Sequence, residues 1–378
     1  MRLRHPDGSL LHLAYCSNVH PADDPDGVVD QLERYAARVR ERLGVPVLGV
    51  GLWIAASALP DPAAATRLKG NLRRLGLEVV TLNGFPYRAF HAPVVKLDVY
   101  RPNWADTRRR DYTLELAGLL ARLLPDDVTE GSISTLPLGW REEWDAGASA
   151  IARGALEEVA EGLGQLEERT GKRIRVALEP EPGCTIETVA QAADFLAGLA
   201  PEWVGLCLDA CHLAVQFEEP EAALARLAES GVPVVKAQVS SALRVERPTA
   251  PDGRELLEGF LEPRFLHQVR ERTNGRVAGV DDLPEALAGG LPGEHEWRVH
   301  FHVPVHAADH TTQEHLVATL AALAGGTAPA TRHLEVETYT WTALPDRPED
   351  DEALIEGLAG ELAWTRERLL ALGAKDLR

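Results

Sequence analysis

Val176-Ala-Leu-Glu-Pro-Glu181, Leu206-Cys-Leu-Asp-Ala-Cys-His212, Val299-His-Phe-His-Val-Pro-Val-His306 and Leu334-Glu-Val-Glu-Thr-Tyr-Thr-Trp341 are four short apolar runs, each ending in carboxylates or imidazoles. Such groups are costly to bury unless they are paired or coordinated. Four strand-like runs with the same kind of ending predict one shared site at one end of a parallel sheet.

Outward from these runs, strand-like segments alternate with amphipathic helical ones. Strands are predicted at 12–19, 47–54, 78–85, 131–138, 174–179, 204–208, 232–239 and 333–338. Helices are predicted near 26–43, 62–75, 111–124, 148–170, 186–199, 219–230 and 351–372. This βα repetition predicts an α/β fold, a (β/α)8 TIM barrel. A doubly wound open sheet would usually carry a Gly-rich phosphate loop after an early strand, and neither GxGxxG nor GxxxxGK[ST] occurs. Residues 1–378 read as a single domain. Residues 242–309, between strands seven and eight, read as an elaborated connection or a small cap over the barrel mouth. They hold a predicted helix at 263–272, a turn at Asn274-Gly275 and the apolar run 297–305. A second long loop, 86–106, is rich in Pro, Tyr and Trp, and loops of this length are often functional lids.

Composition narrows the function. With 45% hydrophobic and 26% charged residues, the chain has material for a large core without disulfides. Its four cysteines form no CxxC pair and read as reduced and mostly buried, which fits a cytoplasmic location. A net charge of -19 argues against nucleic acid as a partner. The compact basic run Arg108-Arg-Arg110 is flanked by Asp106 and Asp111 and reads as a solvated segment. No signal-peptide pattern opens the sequence, and no run approaches the ~20 apolar residues of a membrane span.

Barrel enzymes assemble their sites at the carboxyl ends of the strands. Period-two alternation puts Ala177, Glu179 and Glu181 on one face of strand five. Asp209 ends strand six, with His212 three residues later. Lys236, Gln238 and Ser240 share a face of strand seven. His300, His302 and His306 share a face of the late apolar run. His333, Glu335, Glu337 and Tyr339 share a face of strand eight. Carboxylates with imidazoles suit Zn, Mn, Fe or Co. An ion of that kind polarises a bound oxygen while adjacent carboxylates move protons.

Structural roles compete at each position. Glu179 could pair with Lys236 or Arg175, and Asp209 could cap the next turn. Glu335 could pair with an internal cation or bind metal. His300 and His306 are open between ligand, substrate contact and structural histidine, and His302 is the central one of the three. Glu181 fits a supporting or substrate-contact role better than that of a ligand. The first half supplies recognition groups: Asn18 and His20 after strand one, and Asn83 after strand three. Trp53, Trp104, Trp140, Trp144 and Trp341 fall where they could wall a pocket for a small metabolite.

A glutamate ending strand five, Asp209-Ala-Cys-His212 after strand six, a polar strand seven and Glu337 on strand eight resemble the xylose isomerase-like barrel superfamily. That superfamily includes sugar isomerases, epimerases, inosose dehydratases and the endonuclease IV repair enzymes. Five further motifs are similar to the metabolite-traffic EboE family: Tyr15-Cys-Ser-Asn-Val-His20, Asn83-Gly-Phe-Pro-Tyr87, Phe265-Leu-His-Gln268, His300-Phe-His-Val-Pro304 and Glu335-Val-Glu-Thr-Tyr-Thr-Trp341. Its gene cluster is implicated in moving a small metabolite towards the cell envelope, which implies association with other products of that cluster.

The resemblance implies a divalent metal (Mn, Zn, Mg or Co) held by Glu179, Asp209 and Glu337, with Glu179 and Glu337 also shuttling protons. His212 would contact substrate or a second metal, alongside Lys236, Asn18, His20, Asn83, Trp53 and Trp341 as substrate-binding candidates. Many relatives carry a metal-binding histidine on strand seven, where this chain has Gln238; His302 is the candidate to restore that imidazole. The expected function is a metal-dependent sugar isomerase or epimerase acting on a small polyhydroxylated metabolite. A non-catalytic carrier on the same barrel is the alternative. An endonuclease IV-like hydrolase fits the acidic balance less well.

Overall fold

Leu11, Leu13 and Tyr15 of the first barrel strand, Leu10–Cys16, pack outward into the helical layer, while His12 is hydrogen-bonded to Glu78 of the third strand. The same alternation runs round the barrel. The computed structural model describes residues 1–20, 22, 24–88 and 92–377. Its barrel strands are Leu10–Cys16, Leu48–Trp53, Leu77–Asn83, Glu130–Thr135, Arg173–Leu178, Val204–Asp209, Val234–Val239 and His333–Val336. Each pairs in parallel with the next, and the last closes onto the first through His333 opposite His12 and Val336 opposite Tyr15. The predicted closed barrel is the observed one. A short strand, Arg2–Arg4, runs antiparallel to the first barrel strand at its far end.

Aspartates set several helix starts. The carboxylates of Asp24, Asp61, Asp145 and Asp350 accept from the backbone N–H three residues on, opening the helices that begin at Pro25, Pro62, Ala146 and Asp351. Proline at the first helical position reinforces two of these. Among the described residues, helices that escape the sequence reading include Ala210–Val215, directly after strand six, and Gln313–Ala324, which completes the outer ring before strand eight.

The barrel interior is a stack of polar layers. At the base, Glu78 accepts from Arg2 (2.8 Å) and faces His12. Burial opposes its ionisation, but hydrogen bonds from His12 and Arg2 prevail and bring its pKa down to about 2. Above it, His333 meets the Ser132 hydroxyl (2.7 Å), which donates to Thr81 (2.8 Å). The next layer holds the fully buried pair Lys236–Glu335, 2.6 Å apart. Gly51 makes room for it, since a Cβ there would lie 2.0 Å from the Glu335 carboxyl carbon.

Residues 242–309 form a four-stranded antiparallel sheet in the order Arg276–Val280, Val269–Thr273, Trp297–Val303, Ser241–Val245. It has its own apolar cluster around Leu243, Leu257, Val299 and Phe301. The helix predicted at 263–272 is not there. The helix is Pro251–Gly259, and the second half of the predicted segment is a strand. Asn274 and Gly275 both take positive φ (50° and 78°), closing a two-residue hairpin between Thr273 and Arg276. The hairpin pairing overrides the helical pattern read into Val269-Arg-Glu-Arg-Thr273. Opposite Ser241–Val245 the register of Trp297–Val303 shifts between Val299 and His302. Such irregularities re-aim side chains beside functional sites.

This insert and the loop after strand three meet over the barrel mouth. The N–H groups of Val95 and Lys96 donate to the Arg264 carbonyl (2.7 and 2.9 Å), and Lys96 pairs with Asp282. Residues 89–91 of that loop lie outside the described residues. The basic run divides: Arg108 is exposed, whereas Arg109 is fully buried and donates to the carbonyls of Pro102, Gly84 and Phe85. Its role is to tie the third strand's exit to the following helix. Among the described residues no helix is long and apolar enough to cross a membrane.

Candidate metal centre

The carboxyl ends of strands five to eight and the insert's Trp297–Val303 strand converge beneath a cavity of about 60 Å³. Glu179 follows strand five directly. Asp209 is the last residue of strand six and also the N-cap of Ala210–Val215, its Oδ1 accepting from the His212 N–H (2.9 Å) and the Ser240 hydroxyl (2.8 Å). Glu337 follows strand eight. One oxygen from each of these three carboxylates lies within 4.8 Å of the others, and all three are buried. Asp209 thus caps a helix and also stands in the carboxylate cluster.

Several buried polar atoms of this cluster lack hydrogen-bond partners among the described residues. Glu179 Oε2, Asp209 Oδ2 and both polar atoms of Gln238 have no hydrogen-bond partner among the described residues. Gln238 lies beside Asp209 in the sheet and on its other side pairs with Glu335. Burial, then repulsion from Glu337 and Asp209, pushes the Glu179 carboxyl well above the usual range. Burial, then repulsion from Asp209 and Glu335, raises Glu337 to about 8 against the opposing pull of Lys236 and Asn18. Orphaned buried carboxylate oxygens beside an orphaned amide fit a divalent ion, which would supply the missing positive charge.

The flanking groups are oriented. Asn18 and Asn83 both donate to Glu337 Oε1 (2.6 and 3.0 Å). His302 Nδ1 sits 2.8 Å from the Glu337 carbonyl oxygen, and burial lowers its pKa to about 4. His212 Nδ1 is 2.8 Å from the Pro180 carbonyl oxygen, and its Nε2 is 3.0 Å from His300 Nε2. Glu181 accepts from the Tyr100 hydroxyl (2.8 Å), and Tyr100 stacks on Trp140 at 5.0 Å. The aromatic rings of Phe85, Tyr100, Phe265 and Tyr339 wall the cavity, with Lys96 at its edge.

Several candidates lie elsewhere. His20 stacks on Tyr35 at 3.8 Å. The Trp53 indole donates to the Pro86 carbonyl (2.9 Å), and the Trp341 indole to Glu361 (2.8 Å); neither ring lines the cavity. Lys236 is below the carboxylates, bound to Glu335 and to the Ser134 hydroxyl (3.2 Å). The His306 ring stacks beside that of Trp341, 6.4 Å away. Gln268, which holds His300 Nδ1 at 2.6 Å, carries no metal-type side chain and escaped the sequence reading as a site residue. Its only signal was membership of the motif Phe265-Leu-His-Gln268.

A family model described as xylose isomerase-like TIM barrel matches residues 18–274, more than half of the chain. The chain belongs to the xylose isomerase-like TIM barrel family. No curated protein matches it by sequence. Similar solved structures include a xylose isomerase-like TIM barrel protein from Mycobacterium smegmatis in complex with magnesium (12% identity, 95% of this chain and 98% of that one covered, TM-score 0.52). D-psicose 3-epimerase with D-tagatose from Clostridium cellulolyticum H10 is similar at 14% identity (95% and 99% covered, TM-score 0.51). An L-ribulose 3-epimerase is similar at 14% identity (97% and 100% covered, TM-score 0.50). At such identities the likeness is one of fold.

Proposed function

We propose that the protein is a divalent-metal-dependent sugar isomerase or epimerase acting on a small polyhydroxylated metabolite. The observation carrying this reading is the set of buried oxygens without partners, Glu179 Oε2, Asp209 Oδ2 and Gln238 Oε1, at one end of the barrel. Glu179, Asp209 and Glu337 would hold the ion, with Gln238 offering its amide oxygen. When bound, the ion supplies polarisation of a substrate carbonyl or hydroxyl oxygen.

The chain's own groups do the rest. Glu179 and Glu337 enter the site from strands five and eight, and a carboxylate at either position can take a proton from a bound substrate and return it. Asn18 and Asn83 fix Glu337 by holding one oxygen. The aromatic walls exclude water and offer flat faces to a carbon chain. Sugar 3-epimerases among the fold relatives are consistent with this chemistry.

The narrower metabolite-traffic reading draws support from the same centre. Asn18, Asn83, Gln268, His300, His302 and Glu337 all belong to the motifs that suggested it. A metabolite modified here before export would fit. The free, buried cysteines suit a reducing compartment such as the cytoplasm.

The test combines metal analysis with deuterium exchange. Purified protein loaded with Mn or Mg is incubated in heavy water with ketoses including D-tagatose and L-ribulose. Deuterium should enter at the carbon beside the carbonyl, and Glu179→Gln or Glu337→Gln should slow entry by roughly 10²–10⁴-fold. Unchanged metal content in Glu179→Gln, Asp209→Asn and Glu337→Gln alike would remove the proposed site. Unchanged exchange in both glutamate variants would remove the proton-shuttle roles and leave a binding protein.

A further inference from the structure

We infer that Glu361, on the C-terminal helix Asp351–Ala371, is a positioning residue for Glu337: its carboxylate ties the exit of strand eight to the exit of the insert. Glu361 is completely buried, and no cation pairs with it among the described residues. Burial raises its pKa to about 7 against the pull of hydrogen bonds from Thr338, Trp341 and Val305. An unpaired acid in the interior is a cost that an apolar side chain would avoid. What the acid offers in return is acceptor oxygens, and all three of its donors belong to the two segments that enter the metal centre.

Glu361 Oε1 accepts from the Thr338 hydroxyl (2.5 Å) and the Val305 N–H (3.1 Å), and Oε2 from the Trp341 indole (2.8 Å). Thr338 directly follows Glu337, and Val305 lies just beyond the insert's Trp297–Val303 strand. The same two segments are joined twice more. The Thr340 hydroxyl donates to the His302 carbonyl, and His302 Nδ1 lies 2.8 Å from the Glu337 carbonyl oxygen. A carbonyl only accepts, so that ring nitrogen carries the proton. The helix is shaped to receive Trp341: a Cβ at Gly357, one turn before Glu361, would lie 2.4 Å from its ring.

Glu337 needs such a hold because it stands one residue past the end of its strand. Its N–H still donates to the Val239 carbonyl (3.0 Å), but the chain beyond leaves the sheet, and Thr338 on Glu361 sets its direction. A displacement of about 1 Å there would carry the Glu337 carboxylate off Asn18 and Asn83 and away from Glu179 and Asp209, and errors of that size can cost 10²-fold in rate. Glu361 itself does not line the cavity and acts through Glu337. The inference rests on the metal-dependent reading for the role given to Glu337, whereas the hydrogen bonds stand without it.

Glu361→Gln tests the inference in the full-length protein. Its amide keeps an acceptor for Thr338 and Val305 but turns an NH2 towards the Trp341 indole N–H, donor against donor. Mn2+ affinity by calorimetry should fall ~10–100-fold. Deuterium exchange at saturating ketose should slow while KM changes less than about twofold. Trp341→Phe removes the opposing N–H, so Glu361→Gln/Trp341→Phe should bind Mn2+ more tightly than Glu361→Gln; two merely destabilising changes would add instead. If Glu361→Gln does not fold, Thr338→Val removes only the donor beside Glu337 and should weaken Mn2+ binding in the same direction. A metal-free readout is the His302 Nδ1–H signal in 15N NMR, whose exchange with water should quicken roughly tenfold or more in either variant. If wild type binds no Mn2+ and exchanges no deuterium, the metal-dependent reading fails and the His302 signal alone decides on Glu361. A folded variant with wild-type Mn2+ affinity and wild-type His302 exchange overturns the positioning role, whatever stability it has lost.

Discussion

Lys236→Met is expected to destabilise the fold by about 3–5 kcal/mol, the cost of leaving one buried charge without its partner. Lys236 Nζ and Glu335 Oε2 are 2.6 Å apart, and both side chains are completely buried. Burial alone would push the ammonium towards its neutral form, yet the Glu335 carboxylate prevails and keeps its pKa raised. Without Lys236, Glu335 must either ionise unpaired or take up a proton. Gly51 backs directly onto the carboxyl. The double variant Lys236→Met/Glu335→Gln should recover more than half of the loss, since a neutral pair removes the desolvation penalty. Urea unfolding of wild type, both single variants and the double variant completes the cycle. A double variant no more stable than Lys236→Met would show that the lysine acts through packing rather than charge.

This pair also shows where sequence reading reaches its limit. Strand phase put Glu335 and Lys236 on inward faces but left open whether Glu335 binds metal or a cation; only the parallel pairing of strand eight with strand seven, which brings the two side chains together, decides for the cation. The eight strands were legible because a strand buried on both faces is a short apolar run bounded by turn residues. The same phase brings Glu179, Asp209 and Glu337 to one end. The helix Gln313–Ala324 was not legible, since it follows a long insertion that breaks the βα rhythm. The aromatic candidates fared differently from the carboxylates. Trp53 and Trp341 satisfy their indole N–H groups on Pro86 and Glu361, and such loop contacts have no period to read. Convergence of His300 with His212 depends on the irregular register between Val299 and His302 and on the Gln268 contact to His300. Both are products of tertiary pairing.

Metal affinity at the carboxylate triad is expected to rise with pH through the range near 8 in which Glu337 gives up its proton. In the metal-free protein Glu337 holds its proton up to about 8, and Glu179 is raised as well, in each case first by burial and then by neighbouring carboxylates. Metal binds the ionised form, so below that range each bound ion must expel protons. Expulsion of one proton lowers apparent affinity roughly tenfold per pH unit; the two glutamates titrate together, so the slope should lie between one and two protons. The sign for stability runs the other way. A carboxyl whose folded pKa exceeds its ordinary 4.5 binds more protons folded than unfolded, so the metal-free protein should lose stability as pH rises from about 4.5 towards 8. Bound metal should offset that loss increasingly over the same interval. Calorimetric titration with Mn2+ in buffers of different ionisation enthalpy counts the released protons directly. Glu337→Gln should release fewer protons and bind at least ~10–100-fold more weakly, the penalty known for losing even a supporting group around a metal. Proton-free binding with a pH-independent affinity would mean that these carboxyls are already ionised in the empty site, and that Lys236 beneath them compensates more charge than Glu335 alone consumes.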